Sequence, residues 1–381
     1  LLTESSHNDF KTINYTKSTV PIKPSCVFVD LEGGIWLTGS KGLLRAGNTT
    51  NPVSVIEGKP IKPGRFSKTK DGLFVLREKQ IFKYSKNSQE IKVTGPIKTT
   101  ENEKLYVSED NDMFIYDKAV EKINKDGNRE AIIKFKKPIS TIFSKGDNLF
   151  ISFKHSGLVY HNLKANKTTD YRKNRLLSRN LPAGATSFYL EGKKLWLGND
   201  ESGLYEVDVT NIESPKLVQH HTYNKTNPKS FSSSSVSCIT NHSGLLFIGT
   251  SGDGFFIYNK KDFTRFSLQD GLPSNNIISF AGSSDSTIWV LTNAGVSLVD
   301  WANTNVSNIG PEEGLGAYLK DQNSLYNIKE GRVLVTSPSG VQEVDANKLY
   351  TNQYEATMAI ESIELIDRQN KKHTISKTNV K

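Results

Sequence analysis

The sequence predicts an all-β protein made of short, repeated antiparallel sheets. Apolar runs of four to six residues recur between turns rich in Asp, Asn and Gly, a pattern typical of strands joined by hairpins. The clearest example spans Cys26 to Arg45, where strands at residues 26–29, at 35–37 and from 43 onward are separated by glycine-containing turns. No convincing amphipathic helical pattern interrupts these runs.

The repeat period points to one architecture. The apolar centre of each second strand falls at eight positions, 36 to 51 residues apart: Trp36, Phe74, Phe114, Phe150, Trp196, Phe247, Trp289 and Leu334. A period of about 40–45 residues is that of a four-stranded propeller blade. Because a closed ring protects strand edges that an open stack exposes, we expect a single β-propeller of about eight four-stranded blades, with seven blades as the alternative.

The propeller is predicted to occupy residues 7–352. A strand around Phe10 to Tyr15 is expected to form the outermost strand of the last blade and so latch the ring, and the unit around Phe114 is the most degenerate. After residue 352 the pattern changes to one alternating strand at 358–367 and a polar, Lys-rich tail. Residues 353–381 are therefore predicted to begin a further, incomplete β domain.

Composition and charge limit the classes of function. The hydrophobic content of 36% and charged content of 23% fit a soluble globular chain, and no run approaches the roughly 18 apolar residues of a membrane span. Residues 1–180 carry 32 Lys/Arg against 19 Asp/Glu, whereas residues 181–381 carry 17 against 21. The basic residues are scattered, with no stripe of interleaved aromatics, which argues against nucleic-acid binding. They form either an ordinary solvated surface or a face for an anionic partner.

The sequence contains no motif that predicts an enzyme, a metal site or a cofactor. There is no HExxH, CxxC or GxSxG, and residues 249–254 lack the Lys-Ser/Thr ending of a phosphate loop. Cys26 and Cys238 each lie in the first strand of a repeat and are expected to be small buried residues. Trp36, Trp196 and Trp289 occupy the repeat's structural position, whereas Trp301 lies outside it and is the best candidate for a functional aromatic residue.

Two segments resemble a known family. Asp30-x-x-Gly33-Gly34-Ile35-Trp36-Leu37-x-Gly39-x-x-Gly42-Leu43 and the run from Asp270 to Ile278, DGLPSNNII, are similar to the regulator-propeller repeat of bacterial two-component signalling proteins. The resemblance implies an extracytoplasmic sensor in the periplasm or outside the cell. It also implies that residues 353–381 open a triple-tyrosine (Y_Y_Y) β-sandwich domain, which is immunoglobulin-like and truncated here. A transmembrane tether and an output module would follow this fragment.

Propeller geometry predicts where a ligand binds. Hairpins between second and third strands, and connections between blades, share one face around the central channel, and the connections at 172–182 and 219–235 are long enough to carry a site. With Trp301 added, the candidate ligand-binding residues are Lys41, Arg77, Lys154, His155, Arg175, His221, Tyr223, Asp253 and Trp301. The Lys, Arg and His residues among them suit an acidic or sulfated oligosaccharide through charge-assisted hydrogen bonds.

The expected function is that of a non-enzymatic sensor ectodomain. It would recognise a glycan or a protein partner and transmit the signal through the following β domain. Because signalling needs a contact that differs between two states, a homodimer that changes geometry is expected. Two alternatives remain open: a protein-interaction scaffold, and a propeller lyase or glycan-processing enzyme, since unrelated activities recur on this fold.

Overall fold

The structure is a computed structural model that describes residues 52–349, except 228 and 319, and seven strand segments outside that range. The chain divides into two compact units, one formed by Asn51–Lys348 and the other by Leu1–Thr50 together with Leu349–Lys381. The smaller unit begins with a hairpin and a three-stranded sheet. Their strands are β1 (Leu2–Ser6), β2 (Asp9–Ile13), β3 (Pro24–Val29), β4 (Ile35–Gly39) and β5 (Gly42–Ala46).

The larger unit is a propeller of seven four-stranded antiparallel blades. Blades 1 to 3 contain β7 (Phe66–Thr69), β8 (Gly72–Arg77), β9 (Gln80–Tyr84) and β10 (Glu90–Lys92); β11 (Lys104–Val107), β12 (Met113–Tyr116), β13 (Ala119–Ile123) and β14 (Arg129–Lys134); and β15 (Thr141–Lys145), β16 (Asn148–Phe153), β17 (Gly157–Asn162) and β18 (Lys167–Asp170).

Blades 4 to 6 follow the same order. They contain β19 (Ser187–Glu191), β20 (Lys194–Asn199), β21 (Gly203–Asp208) and β22 (Lys216–His221); β23 (Val236–His242), β24 (Leu245–Thr250), β25 (Phe255–Tyr258) and β26 (Phe263–Phe266); and β27 (Ile277–Ser284), β28 (Thr287–Thr292), β29 (Gly295–Asp300) and β30 (Asn305–Ile309). Successive first strands contact one another around the centre of the ring.

The ring closes through a strand that comes before the first blade in sequence. Blade 7 contains β31 (Leu325–Lys329), β32 (Arg332–Ser337) and β33 (Gly340–Asp345), and its outermost strand is β6 (Val53–Glu57). The pairing places Val53 opposite Val344 and Val55 opposite Gln342. The two ends of the propeller are thus held in one sheet.

This closure corrects two expectations from the sequence. The latch is β6, whereas the segment expected to latch the ring contributes β2, which pairs with β1. The first repeat, around Trp36, is the three-stranded sheet β3–β5 of the smaller unit and not an eighth blade. The ring therefore has seven blades, the alternative that the sequence left open. The degenerate unit around Phe114 is a complete blade.

Burial explains why the second strands read as continuous apolar runs. Neighbouring blades cover both faces of these strands, so five of the six residues of β28 and all six of β8 are buried. Trp196 and Trp289 are buried as the repeat predicted. The outermost strand of a blade is more exposed, and all three residues of β10 are exposed. Cys238 is buried, but Cys26 is exposed, so the prediction for Cys26 was wrong.

Side-chain hydroxyls join the inner strands of adjacent blades. Ser67 Oγ accepts from Val107 N at 2.9 Å, and Ser237 Oγ donates to Ile277 O at 2.7 Å. Similar bonds link other neighbouring blades: Tyr106 to Ser144, Ser152 to Ala185, Ser187 to Ile239 and Ser279 to Gln322. These bonds satisfy backbone groups that would otherwise be unpaired at the inner edge of each sheet.

Helices are few and short in the described residues. One α-helix, α1 (Arg175–Asn180), lies in the connection between blades 3 and 4, and 3-10 turns cover Tyr171–Lys173, Leu268–Asp270, Pro311–Glu313 and Ala346–Lys348. No helix within this part of the chain has the length and apolar character of a membrane span. Near the C-terminus, β34 (Ser362–Ile366) pairs with β35 (Lys372–Ser376), so the expected polar tail contributes a strand.

Candidate binding face

The antiparallel order of each blade sets one face of the propeller apart. The hairpin between the second and third strands and the connection to the next blade both lie at the end where the first strand begins. Backbone hydrogen bonds tie hairpin to connection in several blades, donor first: Ile97 to Lys79, Ile139 to Asp117, Gly157 to Ala183, Gly252 to Asn275, Asn293 to Asn276, and Ile61 to Pro338. We call this side the loop face.

The connection between blades 3 and 4 builds a rigid protrusion on the loop face. Asn174 caps α1 by accepting from the backbone N–H groups of Leu176 and Leu177, at 3.0 and 3.3 Å. Leu177 is buried below the helix, whereas the Leu176 side chain is 72% exposed. Arg175 and Arg179 are also exposed, so the helix presents two cations beside an apolar side chain.

The connection between blades 4 and 5 continues this surface. Tyr223 is 63% exposed, and Lys225 is exposed two residues later. Neither the 171–186 connection nor the 222–235 connection contains an Asp or Glu. Helix α1 also contacts β22, the strand that leads into the second connection. The two connections therefore form one cationic surface.

The hairpin of blade 3 adds further cations. Lys154 is exposed and has no ion-pair partner among the described residues. His155 has a positive φ of 53° and places Nδ1 3.3 Å from Glu201 Oε2 in the next blade's hairpin. The basic sector, as we name it, comprises Lys154, Lys173, Arg175, Arg179 and Lys225. Of the sequence candidates, Lys154, His155, Arg175 and Tyr223 all lie in or beside this sector.

A pocket of about 230 Å³ lies on the same face, at the mouth of the central channel. It is polar, and it is lined by Ser237, Ser251, Asn276, Ile277, Ile278, Asn293, Lys320, Asp321 and Gln322. The side-chain amides of Asn276 and Asn293 make no hydrogen bond to any described residue. Such groups can both donate to and accept from a bound hydroxyl or amide.

Below this pocket, Lys68 crosses the channel. Its Nζ donates to Phe280 O at 2.5 Å and to Ser279 Oγ at 3.1 Å, so a blade 1 side chain is bonded to blade 6. Desolvation lowers the pKa of Lys68 to about 8, although the nearby Cys238 and Asp321 act to raise it. Desolvation likewise raises the pKa of Asp321, although Lys104 and Lys68 act against it. Lys68 and Asp321 are ionisable groups of the channel that the sequence did not single out.

Other sequence candidates have structural contacts. The Arg77 side chain is buried, with NH2 2.5 Å from Glu90 Oε2 and the guanidinium carbon 4.5 Å from the centre of the Phe82 ring. Trp301 lies in a turn on the opposite face, where it packs edge-on against Phe247 and His242. Neither side chain is available to a ligand on the loop face, so neither belongs to the basic sector.

Three candidates remain. Asp253 lies in the blade 5 hairpin on the loop face, where its backbone oxygen accepts from Arg265 Nε at 2.7 Å. His221 ends β22 and is 5% exposed, and its Nε2 lies 3.4 Å from Glu206 Oε2. Lys41 lies outside the described residues. Within those residues, no cluster of three His, Cys, Asp or Glu is arranged to hold a metal ion.

The buried histidine makes stability depend on pH. Desolvation holds the pKa of His221 below its usual value, even though the Glu206 carboxylate opposes the shift. The unfolded chain then binds a proton more readily than the folded one, so the contribution of His221 is complete above about pH 6.5 and is lost as the pH falls below that value.

We therefore expect His221→Gln to flatten the fall in melting temperature between about pH 7 and pH 5. The measurement is the difference in melting temperature between the variant and the unchanged chain at each pH. Taking this difference cancels other groups, such as His161, whose pKa burial also lowers. Parallel curves for the two proteins would show that His221 does not cause the dependence.

Comparison with known proteins supports the fold. No family model and no curated protein matches the chain. The chain is similar to a solved structure, the extracellular domain of the putative hybrid two component system BT3049 from B. thetaiotaomicron. The TM-score is 0.62 at 15% sequence identity, and the alignment covers 97% of this chain and 52% of that domain. The chain thus spans about half the length of that ectodomain. Membership of the regulator-propeller family stays a prediction.

Two further solved structures are similar at lower TM-scores. U3-55K has a TM-score of 0.51 at 12% sequence identity, and the alignment covers 77% of this chain and 98% of U3-55K. A chain of the Mitotic Checkpoint Complex has a TM-score of 0.52 at 12% identity, and the alignment covers 88% of this chain and 98% of that one. At these identities the likeness concerns the fold alone. Function has to be argued from the site.

Proposed function

We propose that this chain is the ligand-binding part of an extracytoplasmic sensor, and that its loop face binds an acidic or sulfated oligosaccharide. The observation that carries the proposal is the basic sector, where two neighbouring connections contain cations and no carboxylate. Guanidinium groups bind carboxylates and sulfates with two parallel hydrogen bonds, so Arg175 and Arg179 suit such a ligand. The fold of an extracellular two-component domain agrees with this placement.

Rigidity supports binding at this sector rather than at an ordinary solvated surface. Asn174 caps α1 and Leu177 anchors it, so the arginines project from a fixed backbone. A preorganised site loses less conformational entropy when a ligand binds. The exposed Leu176 and Tyr223 offer apolar surface for a sugar ring beside the charges.

Binding is expected to depend on Arg175 and Arg179. Replacing both with alanine should weaken the affinity for a sulfated oligosaccharide about tenfold, equivalent to about 1.4 kcal/mol, because two exposed charge-assisted contacts are lost. Lys164→Ala is the matched control, since Lys164 is exposed in blade 3 but lies in a hairpin on the opposite face. Calorimetric titration of the three proteins gives the comparison.

Salt and ligand class complete the test. Affinity for the sulfated ligand should fall as ionic strength rises, because salt screens exposed charges, and a neutral oligosaccharide of the same length should bind more weakly. Equal binding of the two ligands, or a Lys164→Ala effect as large as that of the arginine pair, would refute the proposal for this face.

A protein-interaction scaffold is the second candidate. Leu176, Tyr223 and Leu268 are all more than half exposed, and all belong to blade-to-blade connections on the loop face. Exposed apolar residues on one face are typical of protein contacts. If no oligosaccharide binds up to millimolar concentration, this role is favoured. In either case we propose that a homodimer passes the signal on, through the further β domain that the sequence predicts after residue 352.

A further inference from the structure

A second pocket lies at the outer rim, between blades 4 and 5. Its volume is about 240 Å³, and its walls come from the end of β22, the connection that follows it, and the β25–β26 hairpin. The connection is held against blade 5 because Lys229 O accepts from Phe263 N at 3.0 Å. We call this cavity the side pocket. It is small, so it has room for a single sugar unit rather than a drug-sized ligand.

Aromatic rings form one wall of the side pocket. The rings of Tyr258 and Phe263 stack with centroids 4.5 Å apart, and Phe231 packs against Phe263 with centroids 5.5 Å apart. Both phenylalanines are buried, whereas Tyr258 is half-buried. The Tyr258 ring, held in place by its stack on Phe263, can pack against the apolar face of a sugar ring.

Two amide groups and one ammonium group supply hydrogen-bond donors to the side pocket. Asn224 Oδ1 accepts from Thr226 N at 3.0 Å, and Asn227 Oδ1 accepts from Lys229 N at 3.0 Å. The acceptor ends of both amides are thus used locally, and the Nδ2 donors remain. Lys261 adds an ammonium group with no ion-pair partner among the described residues.

The buried carboxylate near this pocket does not cancel the positive charge of Lys261. Glu206 Oε1 accepts from Lys194 Nζ at 2.6 Å, and Oε2 lies 3.4 Å from His221 Nε2. Its charge is therefore neutralised within blade 4. Lys229 is 3.5 Å from Asp262, which leaves Lys261 as the unbalanced charge at the rim.

We infer that the side pocket binds one anionic sugar unit, with its carboxylate or sulfate near Lys261 and the two asparagine amides and its ring against the aromatic wall. The two free amide donors favour a ligand with acceptor oxygens, and the cation at the rim favours a negatively charged one. The inference rests on the proposed function, because it assigns a place to one unit of the same acidic glycan.

The test uses D-glucuronate, D-glucose 6-sulfate and D-glucose as probes of the whole chain. Tryptophan fluorescence is a local readout, because the Trp196 ring stacks on His221 with centroids 5.4 Å apart. Both charged sugars, or one of them, should bind at least about tenfold more tightly than glucose. Preference between the carboxylate and the sulfate identifies the anionic group. The signal should disappear in Trp196→Phe and persist in Trp289→Phe.

A pair of neighbouring lysines provides the matched variants. Lys261→Ala should weaken binding of the charged sugar at least about tenfold, whereas Lys260→Ala should leave it unchanged, since Lys260 Nζ contacts Glu191 Oε1 at 3.1 Å instead. The inference is overturned if glucose binds as tightly as the charged sugars, if Lys261→Ala has no effect, or if none of the three sugars binds.

Failure here is distinguishable from failure of the proposed function. If replacing Arg175 and Arg179 weakens the affinity for a sulfated oligosaccharide but replacing Lys261 does not, the loop face is a glycan site and the side pocket is not. If neither set of variants changes binding, both proposals fall.

Discussion

Replacing Val53 with aspartate is expected to destabilise the propeller severely, by at least about 3 kcal/mol. Val53 is 6% exposed in β6, and its cross-strand neighbour Val344 is fully buried. The substitution removes a buried apolar side chain and puts a carboxylate in its place. The residue opposite, Val344, cannot neutralise that charge. Among the described strands, β6 is the one strand of blade 7 that precedes blade 1 in sequence. Weakening its pairing with β33 therefore opens the ring.

The matched control is Val55→Asp on the same strand. Val55 is 65% exposed, so the same chemical change should alter stability by no more than about 0.5 kcal/mol. Thermal or urea unfolding of both variants gives the comparison. If Val53→Asp and Val55→Asp were equally stable, β6 could not be the strand that holds the ring closed.

The second large effect concerns the blade 5 hairpin on the loop face. Gly254 has a φ of +79°, and a Cβ at this position would lie 2.0 Å from Phe266 O, a backbone atom that cannot rotate away. Gly254→Ala therefore combines a left-handed backbone cost of roughly 1–2 kcal/mol with a backbone clash. We expect a loss of about 3 kcal/mol or more, together with displacement of the hairpin.

Gly244 separates these two contributions. It has a similar φ of +76° in another turn of the same blade, but a Cβ there would meet nothing within 4 Å. Gly244→Ala should therefore lose only the left-handed cost, and the difference between the two variants measures the clash with Phe266. Equal losses in unfolding experiments would mean that the hairpin moves freely enough to accept the extra methyl group.

The site that emerges differs from the one that the sequence suggested. Lys154 and Arg77 belong to equivalent hairpins, and local pattern does not distinguish them. The structure does, because Glu90 pairs with Arg77 from the outer strand of its blade, while Lys154 remains exposed. A cationic side chain in such a hairpin is available to a ligand only if no carboxylate from another strand pairs with it.

The sequence by itself determined the all-β class, the propeller period and the core positions of Trp196 and Trp289. It also placed the ligand candidates Lys154, His155, Arg175 and Tyr223, all of which lie on one face. These features follow from short-range rules: alternation identifies strands, glycine turns separate them, and antiparallel order sends equivalent loops to the same end.

Only the tertiary structure decided the number of blades and the ionisable groups inside the channel. The apolar pattern of Val53–Glu57 marks a strand, but it does not specify a partner, and the strand joins blade 7 rather than the sheet that precedes it in sequence. Lys68 likewise follows an ordinary strand pattern, and its bond to Phe280 forms only when blades 1 and 6 face each other. The two-residue alternation along a strand determines which face of the sheet a side chain occupies. It does not determine which strand will pair with it, because the two partners can be hundreds of residues apart in sequence.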